Sequence, residues 1–322
     1  MRTVLANDGI DAAGRKILEN GGFRVLDSKV PQDELSGFIN AQGVDVLLVR
    51  SATQVRRSLI EACPGLKIIG RAGVGTDNID VEFARSRQIT VLNTPGASAQ
   101  SVAELVLAHM FTLARRLQQS NRQMPERGAT EFNALKKRYS DGMELKGRTL
   151  GIIGFGRIGQ TVGSLAIGLG MRIIPHDPWV KKATLELDWL HLPEKAIQIE
   201  FESQPLDFVL QNADFITLHV PKQNNGKPLI GREEMALMKS GAYLINTARG
   251  GLVDELALLE YLNKGHLGGA GLDVFDNEPS PLPELLRHPL ISVTPHIGGS
   301  TGEAQARIGI ELAQRVLEVY PN

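Results

Sequence analysis

Short runs rich in Val, Ile and Leu recur along the chain with helix-patterned segments between them, and this alternation narrows the possible folds most. Five such runs stand in the first third, "RTVLAND", "FRVLDS", "VDVLLVRS", "LKIIGRAG" and "ITVLNTP". Six more follow, "TLGIIGFG", "RIIPHDP", "ADFITLHVP", "AYLINTA", "GAGLDVF" and "LISVTPH". They lack clean apolar/polar alternation, as strands buried on both faces do. Helices between such strands imply right-handed crossovers and parallel sheets. The class is therefore α/β, with two doubly wound parallel-sheet units. At 322 residues the chain exceeds what one core comfortably organises, which agrees with two domains.

A helical stretch from Ser98 to about Gln123 separates the two sets of strands. Ser101 and Glu104 have the spacing of a capping box, and Ser98 is the alternative cap. "VAELVLAHMFTLA" is apolar around most of its circumference, so it needs cover on several sides, from both domains or from a second subunit. His109 within it reads as a packing or surface residue. The stretch Lys181 to Gln204 reads as one extra strand and a variable loop with a solvated charged face. The last helix, "GEAQARIGIELAQRVLEVY", is amphipathic.

Composition excludes several function classes. A formal net charge of −1 gives no basic surface for nucleic acid or an acidic membrane. One cysteine, Cys63, leaves no intramolecular disulfide and no multi-thiolate metal site, and it reads as a small buried hydrophobe. The seven histidines show no paired ligand spacing, so no metal is expected. The opening "MRTVLANDGID" lacks a signal-peptide core, and no apolar run approaches the roughly 18–20 residues that cross a bilayer. A cytoplasmic location is the expectation.

"TLGIIGFGRIGQTVGSLAIGLG" reads strand, tight turn, helix. Gly154, Gly156 and Gly159 have the G-x-G-x-x-G spacing: a tight turn, close backbone approach to a pyrophosphate, and close packing of helix on strand. A helix N-terminus there would present N–H donors to the anion. Asp177, about 20 residues on at the end of the next strand, is placed to accept from both ribose hydroxyls of NAD and to repel the extra phosphate of NADP.

Hydride transfer to a nicotinamide also requires a proton to move, and histidine suits that role. His296 stands at the carboxyl end of the last strand, the edge where open α/β sheets bind ligands. Arg249 in "LINTARGGLVDE" offers a planar fork for a carboxylate. "GLDVFDNEP" places two acids, Asp273 and Glu278, at another strand end; a carboxylate beside an imidazole fixes its tautomer and favours its protonated form.

"GFGRIG", "NTARGGLVDE", "LDVFDNEP" and "TPHIGGST" resemble, in this order, the signature stretches of the D-isomer-specific 2-hydroxyacid dehydrogenases. The resemblance implies two Rossmann-like domains. An NAD-binding domain, 98–297, would be inserted into a flavodoxin-like substrate domain formed by 1–97 plus 298–322. By the same resemblance His296 is the general acid/base, Glu278 its partner, and Arg249 the group that binds the substrate carboxylate and carbonyl. Asp273 would lie near the nicotinamide. Contacts to NAD are implied for Arg157, Ile158, His219, Val220, Pro221, Thr247, Ala248, Arg249, Asp273, His296, Gly298 and Gly299.

Two further arginines, Arg50 and Arg71, end strands of the first unit. One carboxylate is already served by Arg249, so two more guanidiniums suit a second anion, of which phosphate is the obvious one. Both stretches look like those of the family's phosphoglycerate-oxidising members, in which Arg50, Ser51 and Arg71 would approach the substrate. Backbone N–H groups of Val74 and Gly75 could hold its carboxylate. "LKKRY", with Lys137 and Arg138, is similar to a basic patch lent by a partner subunit, so a homodimer or higher homo-oligomer is expected. The expected reaction is NAD-dependent oxidation of D-3-phosphoglycerate to 3-phosphohydroxypyruvate, a step toward serine. The alternatives are a glyoxylate or hydroxypyruvate reductase and a dinucleotide-sensing, corepressor-like binding protein. The chain ends soon after its last helix, so no regulatory domain and no feedback through one are expected.

Overall fold

The computed structural model describes residues 1–187, 196–223 and 226–320. Two compact units emerge, Met1–Ser101 with Gly299–Asn322, and Val102–Gly298. The divisions fall after Ser101 and Gly298, four residues and one residue beyond the boundaries expected from the sequence.

In the first unit the apolar runs form β1 (Thr3–Ala6), β2 (Arg24–Leu26), β3 (Val44–Val49), β4 (Ile68–Arg71) and β5 (Thr90–Asn93). They pair in the order β2-β1-β3-β4-β5, with every pairing parallel, which is the flavodoxin-like arrangement. The crossovers carry α1 (Ala12–Asn20), α2 (Leu35–Gln42), α3 (Arg57–Ala62) and α4 (Val81–Ser86). Alternate strand residues feed two cores. Val4, Val46, Leu48 and Ile68 pack with Leu312, Ala313 and Val316 of the last helix. Leu5, Leu47, Val49 and Ile69 pack with Leu35, Ile39, Leu59 and the buried Cys63. Each large apolar side chain so buried contributes about 1.5–3 kcal/mol. That last helix spans Gly302–Val319 and lies against α1 so closely that a Cβ on Gly14 would stand 2.4 Å from the Gly309 carbonyl oxygen.

The second unit begins within α5 (Ala99–Ala114), followed by α6 (Leu117–Arg138). The single helix expected from Ser98 to Gln123 is thus two, because Arg116 takes a left-handed conformation (φ 50°) between them. Ser101 lies inside α5 and is no cap; its hydroxyl meets that of Thr301, 2.8 Å away. Then come β6 (Thr149–Ile153), α7 (Arg157–Gly168), β7 (Arg172–His176), β8 (Lys182–Leu187), β9 (Ile197–Glu202), α8 (Leu206–Asn212) and β10 (Phe215–Leu218). The unit closes with α9 (Arg232–Leu237), β11 (Tyr243–Asn246), α10 (Glu255–Asn263), β12 (Gly269–Leu272), α11 (Pro283–Arg287) and β13 (Ile291–Val293), and the last helix of the chain is α12.

The sheet order is β13-β12-β11-β10-β6-β7, all parallel. Strand order reverses beside β6, the switch point at which such sheets bind ligands. Val106 and Met110 of α5 help cover one face. Among its described residues the Lys181–Gln204 stretch holds two strands where one strand and a variable loop were expected, β8 and β9, paired antiparallel; residues 188–195 lie outside the described residues. Alternation explains the difference: Leu185 and Leu187 are buried while Lys182 and Glu186 are exposed, the pattern of a half-covered hairpin. Its outer face carries Lys182 between Glu200 and Glu202. Among the described residues no helix is long and apolar enough to cross a membrane.

Candidate active site

The glycine loop sits at the switch point. Gly154 has φ +93°, and a Cβ there would come 2.4 Å from the His219 carbonyl oxygen. A Cβ on Gly159 would come 2.1 Å from the Gly154 carbonyl oxygen, so helix and strand approach as the motif requires. A Cβ on Gly156 would meet nothing within 4 Å, which leaves open space at the N-cap of α7, and Arg157 beyond it is exposed.

Asp177, at the tip of β7, is 9% exposed. Its Oδ2 accepts the Phe155 N–H (2.8 Å), and its Oδ1 accepts those of Trp179 (2.9 Å) and Val180 (3.0 Å). A carboxylate offers about four acceptor positions. Three are taken, so the arrangement leaves about one, on Oδ2, where the sequence suggested service to both ribose hydroxyls. His219 follows β10; its Nε2 lies 3.0 Å from Thr217 Oγ1, and burial pushes its imidazole down to about 3, which keeps it neutral. Its Nδ1 and the Thr247 hydroxyl are buried with no hydrogen-bond partner among the described residues.

Arg249 follows β11. Asn246, 2% exposed, shapes its turn: Oδ1 accepts the Ala248 N–H (3.1 Å) and Nδ2 donates to the Arg249 carbonyl (2.9 Å). The Arg249 guanidinium donates to the Ala248 carbonyl at 2.6 Å. A Cβ on Gly250 would fall 1.9 Å from the Phe275 carbonyl oxygen, so the glycine after Arg249 lets the β12 loop close in. On that loop Glu278 accepts the Phe275 N–H through Oε1 (3.0 Å) and meets His296 Nδ1 through Oε2 (2.7 Å). Both side chains keep about 40% of their surface in water, so their pairing is a matter of orientation far more than stability.

Asp273, the other acid of this stretch, is not on the imidazole. It is 1% exposed, and it accepts the Thr294 hydroxyl (2.6 Å) and the N–H groups of Ile297 and Gly298 (2.8 Å each). It works as a clamp on the loop that carries His296. Sequence reasoning missed Asn246 and Thr294. The available signal was polar side chains at the ends of otherwise apolar strands.

In the first unit, Arg50 and Ser51 follow β3, and Arg71 ends the neighbouring β4. Asp8 accepts the Arg50 N–H (2.6 Å), and Asn78 donates to the carbonyls of Arg50 and Thr53 (2.7 Å each). Arg71 donates to Ser51 Oγ (3.0 Å) and to the Ala72 carbonyl (2.7 Å). Gly73, at φ +144°, gives the Arg71 guanidinium its path, since a Cβ there would stand 1.8 Å from it. Val74 and Gly75 are half-buried in the same loop, with Asn93 Nδ2 on the Val74 carbonyl at 2.7 Å.

Residues 107–298 match the family described as "D-isomer specific 2-hydroxyacid dehydrogenase, NAD binding domain". The chain belongs to that family. It is an NAD-dependent D-2-hydroxyacid dehydrogenase. A hydroxypyruvate reductase of Thermotoga maritima is 44% identical over 98% of this chain and 97% of its own length. A D-3-phosphoglycerate dehydrogenase of Methanocaldococcus jannaschii is 42% identical over 99% of this chain, which spans only 57% of that relative. A crystal structure of NAD-bound 3-phosphoglycerate dehydrogenase from Entamoeba histolytica superposes with a TM-score of 0.78 at 28% identity, covering 100% of this chain and 96% of that one.

The second unit fits NAD by its own features. It combines a backbone cradle at Gly154–Gly159, the N-terminus of a 12-residue helix, and at strand ends nearby the His219 Nδ1 and Thr247 hydroxyl, which have no partner among the described residues.

Proposed function

We propose that this dehydrogenase oxidises a phosphorylated D-2-hydroxy acid, 3-phosphoglycerate, to 3-phosphohydroxypyruvate. The observation that carries the substrate assignment is the pair of arginines on neighbouring strand ends, Arg50 and Arg71, bracketing the exposed Ser51. Arg249 holds the substrate carboxylate, and the phosphate falls to Arg50, Ser51 and Arg71, with Val74 and Gly75 N–H groups supporting the carboxylate. NAD, when bound, supplies the hydride acceptor, held by the glycine loop, Asp177, His219, Val220, Pro221, Thr247, Ala248, Gly298 and Gly299. As the substrate C2–H bond breaks, the hydroxyl proton passes to His296 Nε2 and the carbonyl forms. Glu278 on Nδ1 holds the ring in the tautomer that leaves Nε2 ready to accept.

A hydroxypyruvate reductase is the second reading. It is favoured by the internal bonds that Arg71 already makes and by the Thermotoga maritima relative. NADH oxidation with phosphohydroxypyruvate, hydroxypyruvate, glyoxylate and pyruvate separates the two. The proposal expects a kcat/KM for phosphohydroxypyruvate at least roughly 100-fold above the others, the worth of one or two charged contacts. Preference for hydroxypyruvate rejects the phosphate and leaves the dehydrogenase in place. We include a homodimer in the proposal, since Phe111, Leu117, Met124 and Phe132 expose apolar surface along α5 and α6.

A further inference from the structure

A neutral imidazole in an apolar helix needs a reason. His109 lies in α5 and is 2% exposed. Its ring occupies the place a side chain on β12 would take: a Cβ on Gly271 would come 2.8 Å from the His109 Cβ. Leucine would fill that space without two ring nitrogens to satisfy, each of which is costly to bury unbonded. Both are bonded here. Nδ1 lies 2.9 Å from Ser292 Oγ and Nε2 lies 3.2 Å from Thr294 Oγ1. Burial pushes the imidazole below the ordinary histidine range, against a smaller pull from Asp273, and so favours the neutral ring with one N–H.

The direction of the bonds follows from the far end. The Asp273 carboxylate only accepts, so Thr294 donates its hydroxyl hydrogen to it, at 2.6 Å. Thr294 Oγ1 then faces His109 with lone pairs, and Nε2 bears the ring proton. Nδ1 accepts from Ser292. Ser292, His109 and Thr294 thus all donate toward Asp273, which in turn holds the Ile297 and Gly298 N–H groups. Between these anchors stands His296, at φ 55° with its own N–H on the Thr294 carbonyl (3.1 Å). A left-handed conformation is strained for a non-glycine residue. Thr294 before it and Ile297 after it are tied to one carboxylate, which holds the chain there.

We propose that His109 is a positioning residue for proton transfer: through Thr294 it orients the Asp273 carboxylate that locks Ile297 and Gly298, and so sets where the His296 imidazole stands. The proposal rests on the reading of His296 as the acid/base, and the test keeps the two apart. Amide hydrogen exchange of the 294–299 segment and steady-state kinetics are measured on His109→Leu and His109→Gln, whose amide nitrogen can replace Nε2 as donor. In the leucine variant the Ile297 and Gly298 amides should exchange at least roughly tenfold faster, and kcat should fall roughly tenfold, while KM for the hydroxy acid changes little. The glutamine variant should recover both to within about threefold. Should the leucine variant not fold, Thr294→Val against Thr294→Ser carries the same comparison. Unchanged protection in the leucine variant overturns the proposal, as does lost protection with full kcat, or loss spread evenly over the whole unit. A parallel His296→Asn variant with full turnover would instead remove the acid/base reading, while the exchange result still decides the clamp.

Discussion

The carboxyl edges of the two parallel sheets share an architecture but spend their polar groups differently. In the first unit Asp8 and Asn78 hold backbone at the Arg50–Thr53 turn, and the arginines project from that frame. In the second unit the candidate catalytic side chains are themselves oriented: Glu278 by the Phe275 N–H, His296 by Glu278, and the Arg249 turn by Asn246. A group that recognises charge tolerates some freedom, because Coulombic attraction falls slowly with distance. A group that moves a proton does not, because transfer needs hydrogen-bond reach. The second edge should therefore govern rate and the first should govern affinity and selectivity.

The largest expected effect tests the rate edge. His296→Asn keeps a polar side chain of similar size and removes the ring nitrogen proposed to take the proton. It should lower kcat by roughly 10²–10⁴ with little change in the Kd for NADH, read by stopped-flow and by fluorescence titration. Retained turnover would erase the contrast and favour a dinucleotide-sensing role.

The next effect tests the recognition edge. Arg71→Ala should raise KM for phosphohydroxypyruvate by roughly 10–100-fold while kcat changes little, and it should leave hydroxypyruvate nearly unaffected. Equal losses on both substrates would make Arg71 a structural residue, its bonds to Ser51 and Ala72 being its whole purpose.

Much of this contrast was legible in the sequence. Both sheets, the glycine loop and the His296, Arg249 and Glu278 stretches are local patterns, set by residue type and spacing. What escaped depends on partners distant in the chain. His109 read as packing or surface because its hydrogen-bond partners, Ser292 and Thr294, lie more than 180 residues away. Residue type and spacing alone do not separate Asp273 from Glu278, which the resemblance names as the partner of His296; the loop geometry shows which carboxylate turns outward to the imidazole and which turns inward to backbone N–H groups. The break at Arg116 has no glycine or proline to announce it, and nothing short of the φ of 50° reveals it.

The smallest expected effect extends the comparison to stability. All seven histidines fall between His109 and His296, so the first unit has none. Burial lowers His109, His219 and His288 below the ordinary histidine value, His219 from 6.5 to about 3. A group held neutral when folded leaves the unfolded chain binding the extra proton at any pH between those two values. Its stabilisation is complete above pH 6.5 and is lost as pH falls toward 3. At about pH 5.5, one pH unit below the unfolded value, His219 alone accounts for at most about 1.4 kcal/mol, roughly tenfold in the opening equilibrium. Hydrogen exchange, corrected for intrinsic rates, should show protection in 102–298 weakening between pH 7 and 5.5 while β1 to β5 hold. Equal weakening in both units would mean that carboxylates common to both, and not buried histidines, set the acid limit.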